Sequence, residues 1–419
     1  MPGRLLVLSN GHGEDLIALR VLEELHRRRP ELEIAVLPLV GEGSAFAAAE
    51  AAGVLRRIGP RCQLPSGGFS NQSLRGLLAD LGAGVLGLSL RQWRLVRRWG
   101  RRGDPVLAVG DLLPLLLAWG SGAPYGFIGT PKSDYTWASG PGTAGLAALY
   151  HRCKGSEWDP WEWALMARRR CRLVAMRDAL TARGLRRHGV EALAPGNPMM
   201  DGLQAEPLPP ALQGRRRLLL LGGSRMPEAL GNLRRLLEAL VLLRAAEPVL
   251  VLAPCGSRPS PEEWAPLLQR LGFEPVPGPP PAQAQAAWQR GSVLLLVGPG
   301  RFAAWAGCAE VGLAAAGTAT EQLVGLRVPA LSLPGPGPQF KLGFAQRQSR
   351  LLGGSVVVCR TPQALAQGLA QLLQDPQRRV ALGRIGERRM GPAGGSEALA
   401  RLLEQRLLPF AAGPGGMIA

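Results

Sequence analysis

Short apolar runs recur along the chain, each closed by a turn and followed by residues whose apolar positions repeat every three or four places. In the first half the runs are "RLLVLS", "EIAVLPLV", "PVLAVG", "YGFIG" and "RLVAMR", ending in "LAPGNPMMDG". Unbroken runs of four to eight apolar residues suit strands buried on both faces, as in a parallel sheet. The stretch after the first run, "IALRVLEELHRRRP", reads as a helix with Leu16, Ala18, Val21, Leu22 and Leu25 on one side and Pro30 as its stop. A weakly patterned, Pro-rich stretch, "LQAEPLPPALQGRRR", then interrupts the rhythm. The second half restarts it with "RLLLLGGSRMPEALGNLRRLLEAL", "PVLVLAPCG", "SVLLLVG", "VGLAAAGTATEQLVGL", "VPALSLPG" and "SVVVCR", and closes with helices.

Alternating strands and helices predict an α/β chain of two Rossmann-like doubly wound lobes facing across a cleft. The boundaries expected are 1–203 for the first lobe, 204–217 for a linker, 218–395 for the second lobe, and 396–419 for a last helix and tail returning to the first lobe. The segments "RCQLPSGGFSNQS" and "SDYTWASGPGTAG" read as long loops on the cleft side of the first lobe.

Composition narrows the class. A chain of 419 residues with 46% hydrophobic content is globular and too long for one core. The six cysteines form no Cys-x-x-Cys pair, which favours reduced thiols in the cytoplasm over a disulfide frame or a zinc site. "MPGRLLVLSNGHGED" has too short an apolar run for a signal peptide. The longest apolar candidate, "PVLAVGDLLPLLLAWGSGAPYGFIG", is broken by Asp111, Pro114 and glycines, so no membrane span is expected. The net charge is +18, and of 49 basic residues only Lys132, Lys154 and Lys341 are lysine. Such a surface attracts polyanions or anionic headgroups. No aromatic RNA-binding pattern, zinc finger or helix-turn-helix is present, and nucleic acid is not an expected partner. One helix stands out: in "GVLGLSLRQWRLVRRWGRR", Val85, Leu86, Leu88, Leu90, Trp93, Leu95, Val96 and Trp99 fill one arc, with Arg91, Arg94, Arg97, Arg98, Arg101 and Arg102 opposite. That distribution fits either a helix covering the sheet or one lying in a membrane interface.

Candidate chemistry gathers at strand-to-helix turns. "SNGHGEDL" carries Gly11 and Gly13 but lacks the third glycine of a dinucleotide fingerprint and the Lys-Ser/Thr of a P-loop. His12, Glu14 and Asp15 lie in it; Glu14 and Asp15 suit acceptor hydroxyls or a helix cap. Asp111 ends a strand in "DPVLAVGDLLPL" and is the first candidate general base, with His12 its competitor. Lys132, in "GTPKSDY", is a candidate acceptor contact. In the second half, "LAAAGTATEQL" places Gly317, Thr318, Ala319 and Thr320 where a helix begins, an anion site fit for a pyrophosphate, with Glu321 placed for ribose hydroxyls. A capping box made by a threonine and Glu321 explains the same residues. "LLGGSRMPE" adds Gly223 and Ser224 in a tight turn and Arg225 as a phosphate clamp. Gln339 and Gln346 are candidate uracil or sugar contacts.

Four of these turns, "SNGHGED", "APGNPMMDG", "LLGGSRMPEAL" and "AAGTATEQLVGLRVP", resemble those of lipid-A-disaccharide synthase and, more closely, the lipid-A-disaccharide-synthase-related proteins. That family has the two-lobed glycosyltransferase fold called GT-B, and the likeness runs over nearly the whole chain. It implies a UDP-sugar donor held by Gly223, Ser224, Arg225, Gly317, Thr318, Ala319, Thr320, Glu321, Gln339 and Gln346 of the second lobe. It also implies a lipid-linked acceptor at Gly11, Gly13, Glu14 and Lys132, with Asp111 or His12 as base, and a peripheral place on the cytoplasmic membrane face. Direct displacement would invert the anomeric centre. No Asp-x-Asp occurs in the sequence, in keeping with a reaction that needs no metal and no cofactor beyond the sugar nucleotide. The opening loop departs from the synthase pattern Gly-Glu-x-Ser-Gly-Asp, and "GDLLPLL" follows the synthase's Asp-x-Pro-Asp segment only in part. A UDP-sugar epimerase or hydrolase of the same fold and a non-catalytic anionic-lipid-binding relative are the alternatives.

Overall fold

The computed structural model describes residues 3–11, 13–60, 85–141, 146–244, 246–256, 258–335, 337 and 340–411. They divide into two compact units. The first joins the chain up to Asp134 with Tyr150–Asp201 and everything from Ala393 on; the second joins Tyr135–Leu149 with Gly202–Pro392. The segment from Tyr135 thus groups with the second unit, although the sequence rhythm assigns it to the first lobe. Of the two long loops expected from sequence, 61–73 lies outside the described residues; the other contains the short helix Tyr135–Ala138.

The first unit is built on a sheet of β1 (Arg4–Ser9), β2 (Glu33–Pro38), β3 (Arg56–Arg57), β4 (Val106–Gly110), β5 (Tyr125–Gly129), β6 (Cys171–Met176) and β7 (Ala192–Leu193). All pairings are parallel, in the order β3-β2-β1-β4-β5-β6-β7. Leu5, Leu6, Val7 and Leu8 are all fully buried, because helices cover both faces. Helix α1 (Gly13–Arg28) has acids in its first turn and His26, Arg27 and Arg28 in its last, both matched to its dipole. Its buried face is Ile17, Ala18, Val21, Leu22 and Leu25; Leu16, assigned to that face from spacing, is exposed. Helix α2 (Val85–Gly100) buries Gln92, Val96 and Trp99 but leaves Leu90 and Trp93 exposed, so its apolar arc is wider than its packed face. Helix α3 (Leu112–Gly120) packs beside it. The helix Gly395–Arg406 lies against α1, burying Leu399, Ala400 and Leu403 in the same core as Leu5, Val7 and Leu173.

The second unit's sheet contains β8 (Arg216–Leu221), β9 (Val249–Cys255), β10 (Glu274–Pro275), β11 (Ala286–Arg290), β12 (Val293–Pro299), β13 (Val311–Ala314), β14 (Ala330–Ser332) and β15 (Val356–Val358). Their order is β10-β11-β12-β9-β8-β13-β14-β15, parallel except where β11 pairs with β10 and β12. The stretch 204–217 packs on this unit: the Glu206 amide donates to the Ala304 carbonyl, and Glu206 pairs with Arg301. The helices used below are α4 (Glu228–Leu242), α5 (Thr318–Gly325), α6 (Leu342–Leu351) and α7 (Pro376–Met390). Helices α5 and α7 touch through glycine. A Cβ at Gly386 would lie 2.4 Å from the Val324 carbonyl oxygen, and one at Gly383 2.2 Å from that of Arg327.

Replacing Gly386 by Ala is therefore expected to force α7 off α5 and cost about 1–3 kcal/mol, as overpacking does. Gly231→Ala, in α4 with nothing within 4 Å of its Cβ position, is expected to gain up to about 1 kcal/mol from helix propensity. Thermal unfolding of the two variants checks the contrast; equal shifts would remove the packing argument.

Candidate functional site

Strand order decides which turns become neighbours. In the first sheet the chain leaves β1 toward β2 on one side and returns at β4 on the other, so the order reverses between β1 and β4. In the second it leaves β8 toward β9 and returns at β13. Open α/β sheets bind ligands outside the carboxyl ends of the strands at such reversals. The residues that follow β1, β4, β8 and β13 are those of the glycine turns and Asp111.

In the first unit, Asp111 caps α3, its carboxylate accepting the Leu113 amide at 3.2 Å. Gly110 has no side chain to separate β4 from the opening turn: a Cβ there would lie 3.0 Å from that of Asn10 and 3.5 Å from Glu14 Cγ. Glu14, in the first turn of α1, accepts the Thr130 hydroxyl at 3.4 Å. Burial first, and then the charges of Asp111 and Asp15, push the Glu14 carboxyl up to about 7. Asp15 is buried and accepts the Ser9 hydroxyl at 2.5 Å; burial lifts it to about 6 against that bond and one from the Gly11 amide. Burial raises Asp111 as well, opposed by the Leu113 amide, the Lys132 charge and the Asn10 side chain. Gly11 needs its left-handed φ of 93°, and a Cβ there would lie 2.7 Å from the Val40 carbonyl oxygen. Gly13 opens α1. His12 lies outside the described residues.

Lys132, the candidate acceptor contact, is paired with acids of its own unit. Its ammonium is 2.6 Å from the fully buried Glu162 carboxylate, 3.7 Å from Asp159 and 5.0 Å from the Trp158 ring centre. A buried carboxylate demands such a partner, so Lys132 neutralises Glu162 and reaches Asp111 only through its field.

In the second unit, Gly223 turns the chain after β8 with a φ of 87°, leaving Gly223 and Ser224 exposed and Arg225 half-buried. Gly222 lies under α4, where a Cβ would come 2.3 Å from the Leu233 side chain. Asn232, on the buried face of α4, donates its amide to the Gly222 carbonyl at 3.4 Å. After β13, the residue that caps α5 is Gly317, and no side chain caps the helix. The capping box allowed by the sequence is not formed. Thr320 and Glu321 send their amides to the Gly317 carbonyl, so the amides of Thr318 and Ala319 precede the first intrahelical bond. Thr318 is exposed and Gly317 and Ala319 are half-buried. Glu321, half-buried in the first turn, sits beside this start. The Phe344 ring of α6, itself exposed, comes 3.6 Å from the place of a Cβ on Gly317.

Gln346 is on the exposed side of α6 and Gln339 lies outside the described residues. The glutamine that reaches the turn is Gln348, which donates to the Gly317 carbonyl at 2.9 Å and the Ala316 carbonyl at 3.4 Å. Sequence reasoning missed both Gln348 and Asn232. The signal was present: each is a carboxamide inside an otherwise apolar or small-residue helical stripe, Ala345-Gln348-Leu352 and Ala229-Asn232-Leu236.

No protein-family model matches the chain. No curated protein matches it either. Solved structures do. The S. aureus MnaA–UDP structure is 13% identical over 94% of each chain, with a TM-score of 0.56. UDP-GlcNAc 2-epimerase from Neisseria meningitidis bound to UDP-GlcNAc is 13% identical over 96% of this chain and all of that one, with a TM-score of 0.55. Acinetobacter baumannii MurG is 16% identical over the same shares, with a TM-score of 0.54. The fold is GT-B. None of these three is a lipid-A-disaccharide synthase, and at these identities the likeness shows the fold with its two Rossmann-like lobes.

The carboxyl cluster has a pH signature. Unfolded, Glu14 releases its proton near 4.5; folded, it holds it until about 7. Between those values the folded state binds more protons, so this contribution to stability is full below about 4.5 and falls as pH rises toward 7. Glu14→Gln is expected to melt about 2–6 °C above the parent at pH near 8, with the gap closing at pH near 4.5. A gap independent of pH would place the titration elsewhere.

Proposed function

We propose that this chain is a metal-independent glycosyltransferase that moves a glucosamine-type sugar, acylated or not, from UDP to a lipid-linked acceptor, as lipid-A-disaccharide synthase does. The observation that carries the reading is the start of α5. An uncapped helix end with small residues at its tip, beside a second glycine turn at the strand-order reversal, suits a pyrophosphate. Two of the three similar structures are described with UDP or UDP-GlcNAc bound. In this reading Gly223, Ser224 and Arg225 meet the diphosphate from the β8 side, and Gly317, Thr318 and Ala319 from the β13 side; Thr320, expected beside them, is fully buried with its hydroxyl on the Ala316 carbonyl and supports the turn from within. Glu321 accepts the ribose hydroxyls; Gln346, on the exposed side of α6, is assigned to the base or sugar together with Gln339, which lies outside the described residues.

Asp111 takes the proton of the attacking acceptor hydroxyl as its oxygen bonds to the anomeric carbon. The bond from that carbon to the diphosphate breaks on the opposite face, inverting the centre. UDP leaves with the electron pair, its growing charge met by the α5 amides and dipole and by Arg225. Glu14, Gly11 and Gly13 line the acceptor side, Lys132 tunes Asp111 through its charge, and His12 is the alternative base.

The lipid character of the acceptor is supported by the faces of α2 and α3. Leu90, Trp93, Leu113, Leu116 and Trp119 are exposed there. A Cβ added at Gly120 would lie 3.2 Å from Trp93 Nε1, so the two stripes adjoin. Arg91, Arg94, Arg97 and Arg98 on α2 are exposed, and neither helix carries an acid. Exposed tryptophan and leucine beside arginine suit an anionic membrane surface, and the α3 stripe begins two residues from Asp111. Among the described residues no helix is long and apolar enough to cross a membrane. One observation favours an epimerase or hydrolase instead: Glu14, Asp15 and Asp111 form a cluster of acids with raised pKa values.

Turnover of UDP-sugars with a membrane lipid extract, followed by mass analysis, separates the readings: a glycosylated lipid supports transfer, whereas isomerised or free sugar without lipid overturns it. UDP is expected to raise the melting temperature of the parent and to do so less in Glu321→Ala; no shift in the parent would remove the donor site. Asp111→Asn keeps a helix cap and is expected to lower kcat by about 10²–10⁴ with UDP binding intact. Co-flotation with vesicles rich in anionic lipid is expected to fail for Trp93→Ser/Trp119→Ser.

A further inference from the structure

Gln348 is almost wholly buried, at 3% exposure, yet it is not packed like a core residue. Its Nε2 donates to the Gly317 carbonyl at 2.9 Å and the Ala316 carbonyl at 3.4 Å. Two carbonyl acceptors fix which end of the carboxamide is nitrogen. Its Oε1 is buried and has no partner among the described residues, a cost that ordinary packing would not retain. The Thr320 hydroxyl donates to the same Ala316 carbonyl at 2.7 Å. Side-chain donors therefore hold the carbonyl oxygens of this turn from behind, at the point where the chain enters α5. A peptide whose carbonyl is held on one side turns its neighbouring amides to the other. The turn after β8 is held in the same manner by Asn232 on the Gly222 carbonyl.

We propose that Gln348 is a positioning residue for a phosphate-bearing ligand: it grips the Ala316–Gly317 carbonyls so that the amides at the start of α5 face a diphosphate. The proposal rests on the nucleotide-binding reading above and narrows it to the phosphates, since what the grip orients are backbone amide hydrogens, which suit an anion. The partner of the turn is thus a diphosphate-bearing group, and Gln348 contributes without contacting it.

The test compares ligands that differ only in phosphate. UDP, inorganic pyrophosphate and uridine are titrated by NMR against the full chain and against Gln348→Leu, which keeps the volume and removes both the donor and the unpartnered oxygen. Expected is a loss of about tenfold in affinity for UDP and pyrophosphate, the scale of one displaced charge-assisted bond, with uridine binding unchanged. Equal weakening of uridine and UDP would mean a general packing role and overturn the proposal. Unchanged UDP and pyrophosphate binding would overturn it too. A parent chain that binds neither UDP nor pyrophosphate would overturn the reading on which it rests. Should Gln348→Leu not fold, Thr320→Val removes the companion donor to Ala316 and is expected to lower the UDP-to-uridine affinity ratio in the same direction; an unchanged ratio overturns the proposal.

Discussion

A parallel sheet can grow on both sides of its first strand only by reversing direction once, and the helices that make the return must cross to the other face. That reversal opens a gap at the carboxyl ends of the two central strands that no helix fills. In this chain the gap falls between β1 and β4 in one unit and between β8 and β13 in the other. The chemistry-bearing turns discussed above flank these two gaps, and each depends on the gap for its exposure.

The two gaps are furnished differently. The first is acidic and half-buried, with Glu14 and Asp111 brought together over Gly110, where any side chain would crowd Asn10 and touch Glu14. Desolvation of neighbouring carboxylates raises the cost of charging all of them and leaves one able to hold a proton near neutrality. The second carries glycine, alanine and threonine at its tip, where amide hydrogens are exposed and one carboxylate, Glu321, lies in the first turn of α5. An acid pair suits proton transfer, and exposed amides suit an anion.

Both glycine turns of the second unit are held from beneath by carboxamides on helices packed against them, Asn232 and Gln348. Helix α5 is also held from its far end, where Gly383 and Gly386 let α7 approach its backbone. A short helix of eight residues has little stability of its own. Its start becomes a fixed feature because tertiary contacts fix it at both ends.

Much of this was legible in the sequence. Runs such as Leu5–Leu8 and Leu218–Leu221 had to be strands buried on both faces, because no alternation offers a wet side. Gly11, Gly223 and Gly317 marked the turns, and the repeat of strand, turn and helix marked two lobes. Strand order was not legible, since it is set by which buried faces meet after the chain has closed on itself, and with it went the knowledge of which turns adjoin. The capping of α5 by Gly317 in place of a threonine was settled by backbone geometry that several residue types allow. That Gln348 and not Gln346 meets the Gly317 carbonyl depends on the phase of α6 against its sheet, since two residues along a helix swing a side chain to the opposite face. Lys132 was claimed by Glu162, thirty residues away, and Leu16, Leu90 and Trp93 were left exposed although their spacing matched a buried stripe. Periodicity records that a face is apolar; only packing decides how much of that face finds a partner.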